Sequence, residues 1–152
     1  MGKKKTRRAK IAAAARPLVL DIGGRNVTVH VRTSPRVLKA VGETAIENGK
    51  KMKPVEERRD AALEAGDFDE AYRLDGELAS LIEPVVSNAL GRPDYEKVLA
   101  ALGGGEKADP ADCVPQLVQV MEAIHGEIEN FVTTAAQTTA GASDALQAAD
   151  RD

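Results

Sequence analysis

Between Val114 and Val132 the apolar residues Val114, Leu117, Val118, Met121, Ile124, Ile128, Phe131 and Val132 recur at the three- and four-residue spacing of one helix face. A strand alternates its side chains every second residue and could not bury that set on one side. Asp109 and Pro110 open the element with a capping carboxylate and a residue suited to a first helical turn. This stripe is the core helix, and every other segment must be placed so that it is covered.

Two kinds of partner precede it. Pro17 to Ile22 and Val27 to Arg32 alternate as strands do, with Leu18, Leu20 and Ile22 on one face and Val27, Val29 and Val31 on another. Gly23, Gly24, Arg25 and Asn26 lie between them, residues that tolerate the backbone angles of a tight turn, so a β-hairpin is predicted. A lone hairpin is marginal in water and must pack on helices or pair with another chain. Ser34 and Pro35 start a helix expected to run to about Asn48 and stop at Gly49. A second, charged helix is expected from Val55 to Ala65, after Pro54 and before Gly66. Asp67 caps a longer helix to Leu90 whose apolar side is read as Phe68, Tyr72, Ala79, Ile82, Val86 and Leu90, with a kink at Pro84. A short helix from Asp94 to Leu102 carries Tyr95, Val98, Leu99 and Leu102 and ends at Gly103, Gly104 and Gly105. The fold class that follows is α+β, mainly α: an N-terminal β-hairpin packed on a bundle of about four to five helices.

A length of 152 residues suits one domain, placed here at residues 17 to 132. Aromatic residues make up only 3% of the chain, so the core must be thin and built from Leu, Val, Ile and Ala. Thin helical cores are commonly completed against a partner or another copy, which points to oligomerisation or a bound partner. Residues 1 to 16 hold seven Lys and Arg and no acid, whereas the rest holds 14 basic against 24 acidic residues. This basic arm reads as a disordered, solubilising terminus able to fold back on the acidic body. The alternative is an acidic-partner or nucleic-acid contact through Lys3, Lys4, Lys5, Arg7 and Arg8. Residues 133 to 152 turn to Ala, Thr, Gln, Ser and Asp without a bulky stripe and read as a frayed or disordered tail. One cysteine, Cys113, excludes an intramolecular disulfide and fits a reducing compartment, and no run approaches a membrane span, so a cytoplasmic location is expected.

Candidate chemical sites resolve into structural ones. The glycines from Gly103 to Gly105 resemble a phosphate loop only in composition, because Lys107 is followed by Ala108 and the segment joins two helices. His125 has Glu122 and Glu129 one turn away on either side but no converging ligands from another element, so it reads as a surface or interface histidine. Cys113 lies at the start of a helix, where its thiol pKa could be lowered, and reads as a half-buried packing residue. Asp67, Asp69 and Glu70 stand in a first helical turn, where the positive end of the helix dipole accounts for them. No catalytic residue, cofactor or metal is expected, and the chain reads as a non-enzymatic binding protein.

The order of elements resembles the tail assembly chaperones of long-tailed bacteriophages over roughly residues 17 to 132. The resemblance is carried by the Leu18 to Arg32 hairpin and the charged helical middle, and then by Tyr95-Glu96-Lys97-Val98-Leu99, Gly103-Gly104-Gly105-Glu106-Lys107 and the Pro110 to Phe131 helix. It implies a protein that binds the tape measure protein and tail tube protein during tail assembly in the host cytoplasm. On that implication Val114, Leu117, Met121, Ile124 and Ile128 are core or partner-groove residues. The basic arm supports one alternative, a small nucleic-acid-associated regulator or packaging factor, and a third reading is another phage structural or scaffolding protein whose helices self-assemble.

Overall fold

Strands β1 (Ala15–Ile22) and β2 (Arg25–Arg32) pair antiparallel in the register Ile22 to Arg25, Leu20 to Val27 and Leu18 to Val29. Directly opposed residues share a face, so the two apolar sets expected on separate faces lie together on one. The turn is Gly23-Gly24 alone, with φ of 60° and 85°, the all-positive pair that matches strand twist. Asp21 braces it by accepting the Gly24 N–H at 3.0 Å, and Arg25 and Asn26 belong to β2 rather than to the turn. The structure, a computed structural model, describes residues 6–9 and 14–150, without the side chains of 137–145 and 148–150.

Four helices and a short 3₁₀ turn follow the hairpin: α1 (Pro35–Glu64), α2 (Phe68–Leu90), α3 (Arg92–Leu102), the turn Pro110–Asp112, and α4 (Val114–Asp150). The α+β, mainly α class and the packing of the hairpin on a helical bundle are as expected from the sequence. The predicted break between Asn48 and Val55 is absent, and α1 is one helix of 30 residues with Pro54 inside it. Tertiary packing overrides the two breakers. Val41 and Ala62 are buried, Val37, Ala45, Met52 and Val55 are half-buried along the same side, and Pro54 lies exposed. Asn48 also donates to the Leu81 carbonyl at 2.9 Å, tying α1 to the turn of α2 in which Pro84 withholds a backbone donor.

The start of α2 is capped as expected, the Asp67 carboxylate accepting the Glu70 N–H at 3.2 Å. Its buried side agrees with the sequence reading at Ala79, Ile82, Val86 and Leu90 and differs at Phe68 and Tyr72. Ala71, Leu74, Leu78, Ala79, Ile82, Val85, Val86, Ala89 and Leu90 face the core, while Phe68 and Tyr72 face solvent. Helix α1 and the 3₁₀ turn both pack against α2, and Leu74 and Leu78 are fully buried while the two aromatic rings of its first turns stay open. Helix α3 begins two residues earlier than predicted, at Arg92, and buries Tyr95, Val98 and Leu99. The glycine run after it is a tight reversal. A Cβ on Gly103 would sit 1.8 Å from the Glu106 carbonyl oxygen, and the Ala108 N–H returns to the Leu99 carbonyl at 3.0 Å.

The hairpin edges are managed by neighbouring residues. On β2 the His30 N–H donates to the Asp94 carboxylate at 2.8 Å and the Thr28 carbonyl accepts from Lys97 Nζ at 2.9 Å, so α3 covers that edge. On β1, Pro17 stands opposite His30 and has no N–H to offer another strand. Arg16, assigned to the basic arm by sequence, is the second residue of β1 and pairs with Glu127 of α4 at 2.8 Å.

The expected core helix is present, although Pro110 opens a separate 3₁₀ turn and α4 proper starts at Val114. Its backbone stays helical past Thr133, where fraying was expected, and reaches Asp150. Alanine, frequent in that stretch, has the highest helix propensity and needs no buried stripe to continue a helix already nucleated.

Candidate partner-binding groove

Helix α2 is central: both α1 and α4 pack against it, and α1 and α4 make little contact with each other. Between them lies a groove of about 310 Å³ lined by Leu38, Val41, Gly42, Ala45 and Ile46 of α1, Val85 of α2, and Met121, Ile124, His125 and Ile128 of α4. On α1 the lining residues recur at positions 38, 41, 42, 45 and 46, and on α4 at 121, 124, 125 and 128, so each helix contributes one continuous face. Val41, Val85 and Ile124 are buried and form the bottom, whereas Ile46 is 65% exposed at the lip. A large aliphatic side chain so open beside an apolar floor is a feature of interaction sites. Two other hollows carry charged and amide side chains, Asp21, Gln116 and Gln119 in one and Arg25, Asn26 and Lys97 in the other.

The five α4 residues expected to meet a partner divide between two roles. Leu117 is fully buried and Val114 nearly so, and both belong to the interior core with Val120, which the sequence reading passed over. Met121, Ile124 and Ile128 line the groove. Sequence reasoning missed the α1 wall altogether. The available signal was the spacing of Leu38, Val41 and Ala45 at i, i+3 and i+7, obscured by the expected stop at Gly49.

The rim is polar. His125 and Glu129 pair at 3.0 Å and are both exposed, which agrees with a surface histidine. Lys39 with Glu43 and Lys51 with Glu47 form i,i+4 pairs on the exposed side of α1, contacts worth little individually in water. Among the described residues no group of His, Cys, Asp and Glu is arranged to hold a metal ion, and no helix is long and apolar enough to cross a membrane.

Cys113 sits between the 3₁₀ turn and α4, buried, its thiol facing the Asp109 and Pro110 carbonyls at 3.5 and 3.7 Å. Burial, followed by the charges of Asp112 and Asp109, pushes its pKa up, opposite to the lowering expected from a helix start. Of the arm residues, Lys3, Lys4 and Lys5 lie outside the described residues, and Arg7 and Arg8 are exposed and outside any regular element.

No protein family, characterised protein or solved structure matches this chain.

Proposed function

We propose that this chain is a non-enzymatic tail assembly chaperone of a long-tailed bacteriophage, and that the groove between α1 and α4 receives an apolar helix face of the tape measure protein. The observation that carries the reading is the groove itself: apolar residues of α1 and α4 facing one hollow, with Val41, Val85 and Ile124 buried and Ile46 exposed. That is the form in which an amphipathic helix is recognised through anchors at i, i+3, i+4 and i+7. A tape measure is long and helical, and before tube subunits cover it, its apolar stripes need a soluble partner. The charged outer sides of α1, including Glu56 to Asp60, supply solubility to such a complex. Tail tube protein is then recruited to the coated tape measure.

The test is co-expression of the chain with a tape measure protein and a tail tube protein of a long-tailed phage. Tape measure protein that stays soluble with the wild-type chain, and precipitates with an Ile46→Asp/Ile128→Asp variant of unchanged circular dichroism, is the expected result. Equal solubility with both variants would reject the groove. Recovery of nucleic acid alone, released as salt rises, would move the function to the arm and favour the regulator or packaging reading.

A further inference from the structure

The elbow between α1 and α2 carries a second surface, at the opposite end of α1 from the arm. Phe68 and Tyr72, two of the four aromatic residues in the chain, stand one turn apart on α2 and are 71% and 49% exposed. Leu63, also exposed, lies at the same end. Residues 64 to 72 contain Glu64, Asp67, Asp69 and Glu70 and no Lys or Arg. The 3₁₀ turn adds Asp109 and Asp112, and the Tyr72 hydroxyl donates to the Asp109 carboxylate at 3.0 Å. That bond, then the charges of Asp109 and Asp112, raise the Tyr72 pKa, so the phenol stays a neutral, oriented ring. The nearby cations are committed elsewhere: Arg73 pairs with Glu70 and Glu77, and Arg58 reaches Glu70 at 3.8 Å. Among the described residues no cation pairs with Glu64, Asp67, Asp69, Asp109 or Asp112, so two open rings sit among five uncompensated carboxylates.

We infer that this aromatic and acidic elbow is a docking surface for the basic N-terminal arm of a second copy of the chain. The arm holds Lys3, Lys4, Lys5, Arg7, Arg8 and Lys10 without an acid, and the elbow offers it both carboxylates for ion pairs and ring faces for cation–π contacts. Geometry separates a second copy from the same one. The arm joins the body at Ala14, whose carbonyl accepts the Thr33 N–H at 2.9 Å beside the start of α1. The elbow lies at the other end of that helix, about 45 Å away at about 1.5 Å per residue. Lys10 is four residues before Ala14 and Lys4 ten, which at roughly 3.5 Å per residue gives them about 14 Å and about 35 Å of reach. At full stretch only residues 1 to 3 come near their own elbow, a limit that does not apply to the arm of a second copy. The contact joins different surfaces of the two copies and is head-to-tail.

The test uses the full chain and a fluorescent peptide of residues 1 to 16. The peptide binds the wild-type chain, and affinity falls by about tenfold or more with Phe68→Ser/Tyr72→Ser and again between about 50 and about 300 mM sodium chloride. The groove variant Ile46→Ser leaves peptide affinity unchanged, which separates this surface from the proposed groove function. Carbodiimide coupling of mixed ¹⁵N-labelled and unlabelled chains should give amide links from arm lysines to Asp67 or Asp69 between labelled and unlabelled copies. Undiminished peptide binding by the Phe68→Ser/Tyr72→Ser variant, no binding at low salt, or links found only within one copy would each overturn the inference.

Discussion

Replacing Leu117 by Ala and Ile46 by Ser should have opposite consequences, although both positions are large aliphatic residues on amphipathic helices. Leu117 is 0% exposed in the main core, with Tyr95, Val98 and Ile82 in the same cluster, whereas Ile46 is 65% exposed at the groove lip. Truncating Leu117 removes buried methyl groups and leaves a cavity that rigid neighbours cannot fill, a loss of about 3 to 4 kcal/mol. At about 2 to 4 °C per kcal/mol for a chain of this size, the midpoint of thermal unfolding should fall by about 6 to 16 °C. Ile46→Ser removes side-chain atoms already in water and should shift stability by no more than about 0.5 kcal/mol. Its effect appears in partner binding, where losing the burial of one Ile costs about 1.5 to 3 kcal/mol, or about 10- to 150-fold in affinity. Thermal unfolding followed by circular dichroism measures the first pair of values and calorimetric titration of a tape measure segment the second. A Leu117→Ala variant that melts within about 2 °C of wild type, or an Ile46→Ser variant that loses stability instead of affinity, would refute the division of the apolar residues into core and groove.

Three further outcomes follow from particular contacts. Tyr95 is fully buried, which together with the nearby Glu83 carboxylate raises its pKa, yet its hydroxyl lies outside normal hydrogen-bond geometry, so Tyr95→Phe should be neutral or stabilise the chain by up to about 1 kcal/mol in chemical denaturation; a loss of about 1 kcal/mol would show that the hydroxyl is satisfied. Gly103→Ala should destabilise by about 2 kcal/mol or more, because its Cβ would meet the Glu106 carbonyl at 1.8 Å, while Gly42→Ala, with open space at that position in α1, should be neutral or slightly stabilising. Cys113, buried and with its pKa raised, should react with a thiol reagent near neutral pH at least about tenfold more slowly in the folded chain than in guanidinium, with rates rising as alkali generates thiolate; equal rates would contradict the burial.

The hairpin and the α3 and α4 stripes were legible because each rests on local pattern: alternation around Gly23-Gly24, and apolar spacing in Tyr95, Val98 and Leu99 or in Val114 to Ile128. The unbroken α1 was not, because Gly49 and Pro54 are local stop signals and what overrides them is packing on α2, including the bond from Asn48 to the Leu81 carbonyl. The first two turns of α2 were misread for a related reason. Phe68 and Tyr72 fall at a spacing compatible with the buried side, and only the positions of α1 and the 3₁₀ turn assign that side to Ala71, Leu74 and Leu78. Half of the groove was visible as the α4 stripe, but a groove needs two walls, and the second comes from residues about 80 positions away in the chain, a juxtaposition that periodicity does not encode.

Hydrogen exchange of the chain alone and in complex with the tape measure protein tests the central claim most directly, since it reports which backbone becomes protected without any substitution. The account predicts new protection concentrated in residues 38 to 46 of α1 and 121 to 128 of α4, with the hairpin unchanged; protection confined to the hairpin, or to no part of these two helices, would contradict it.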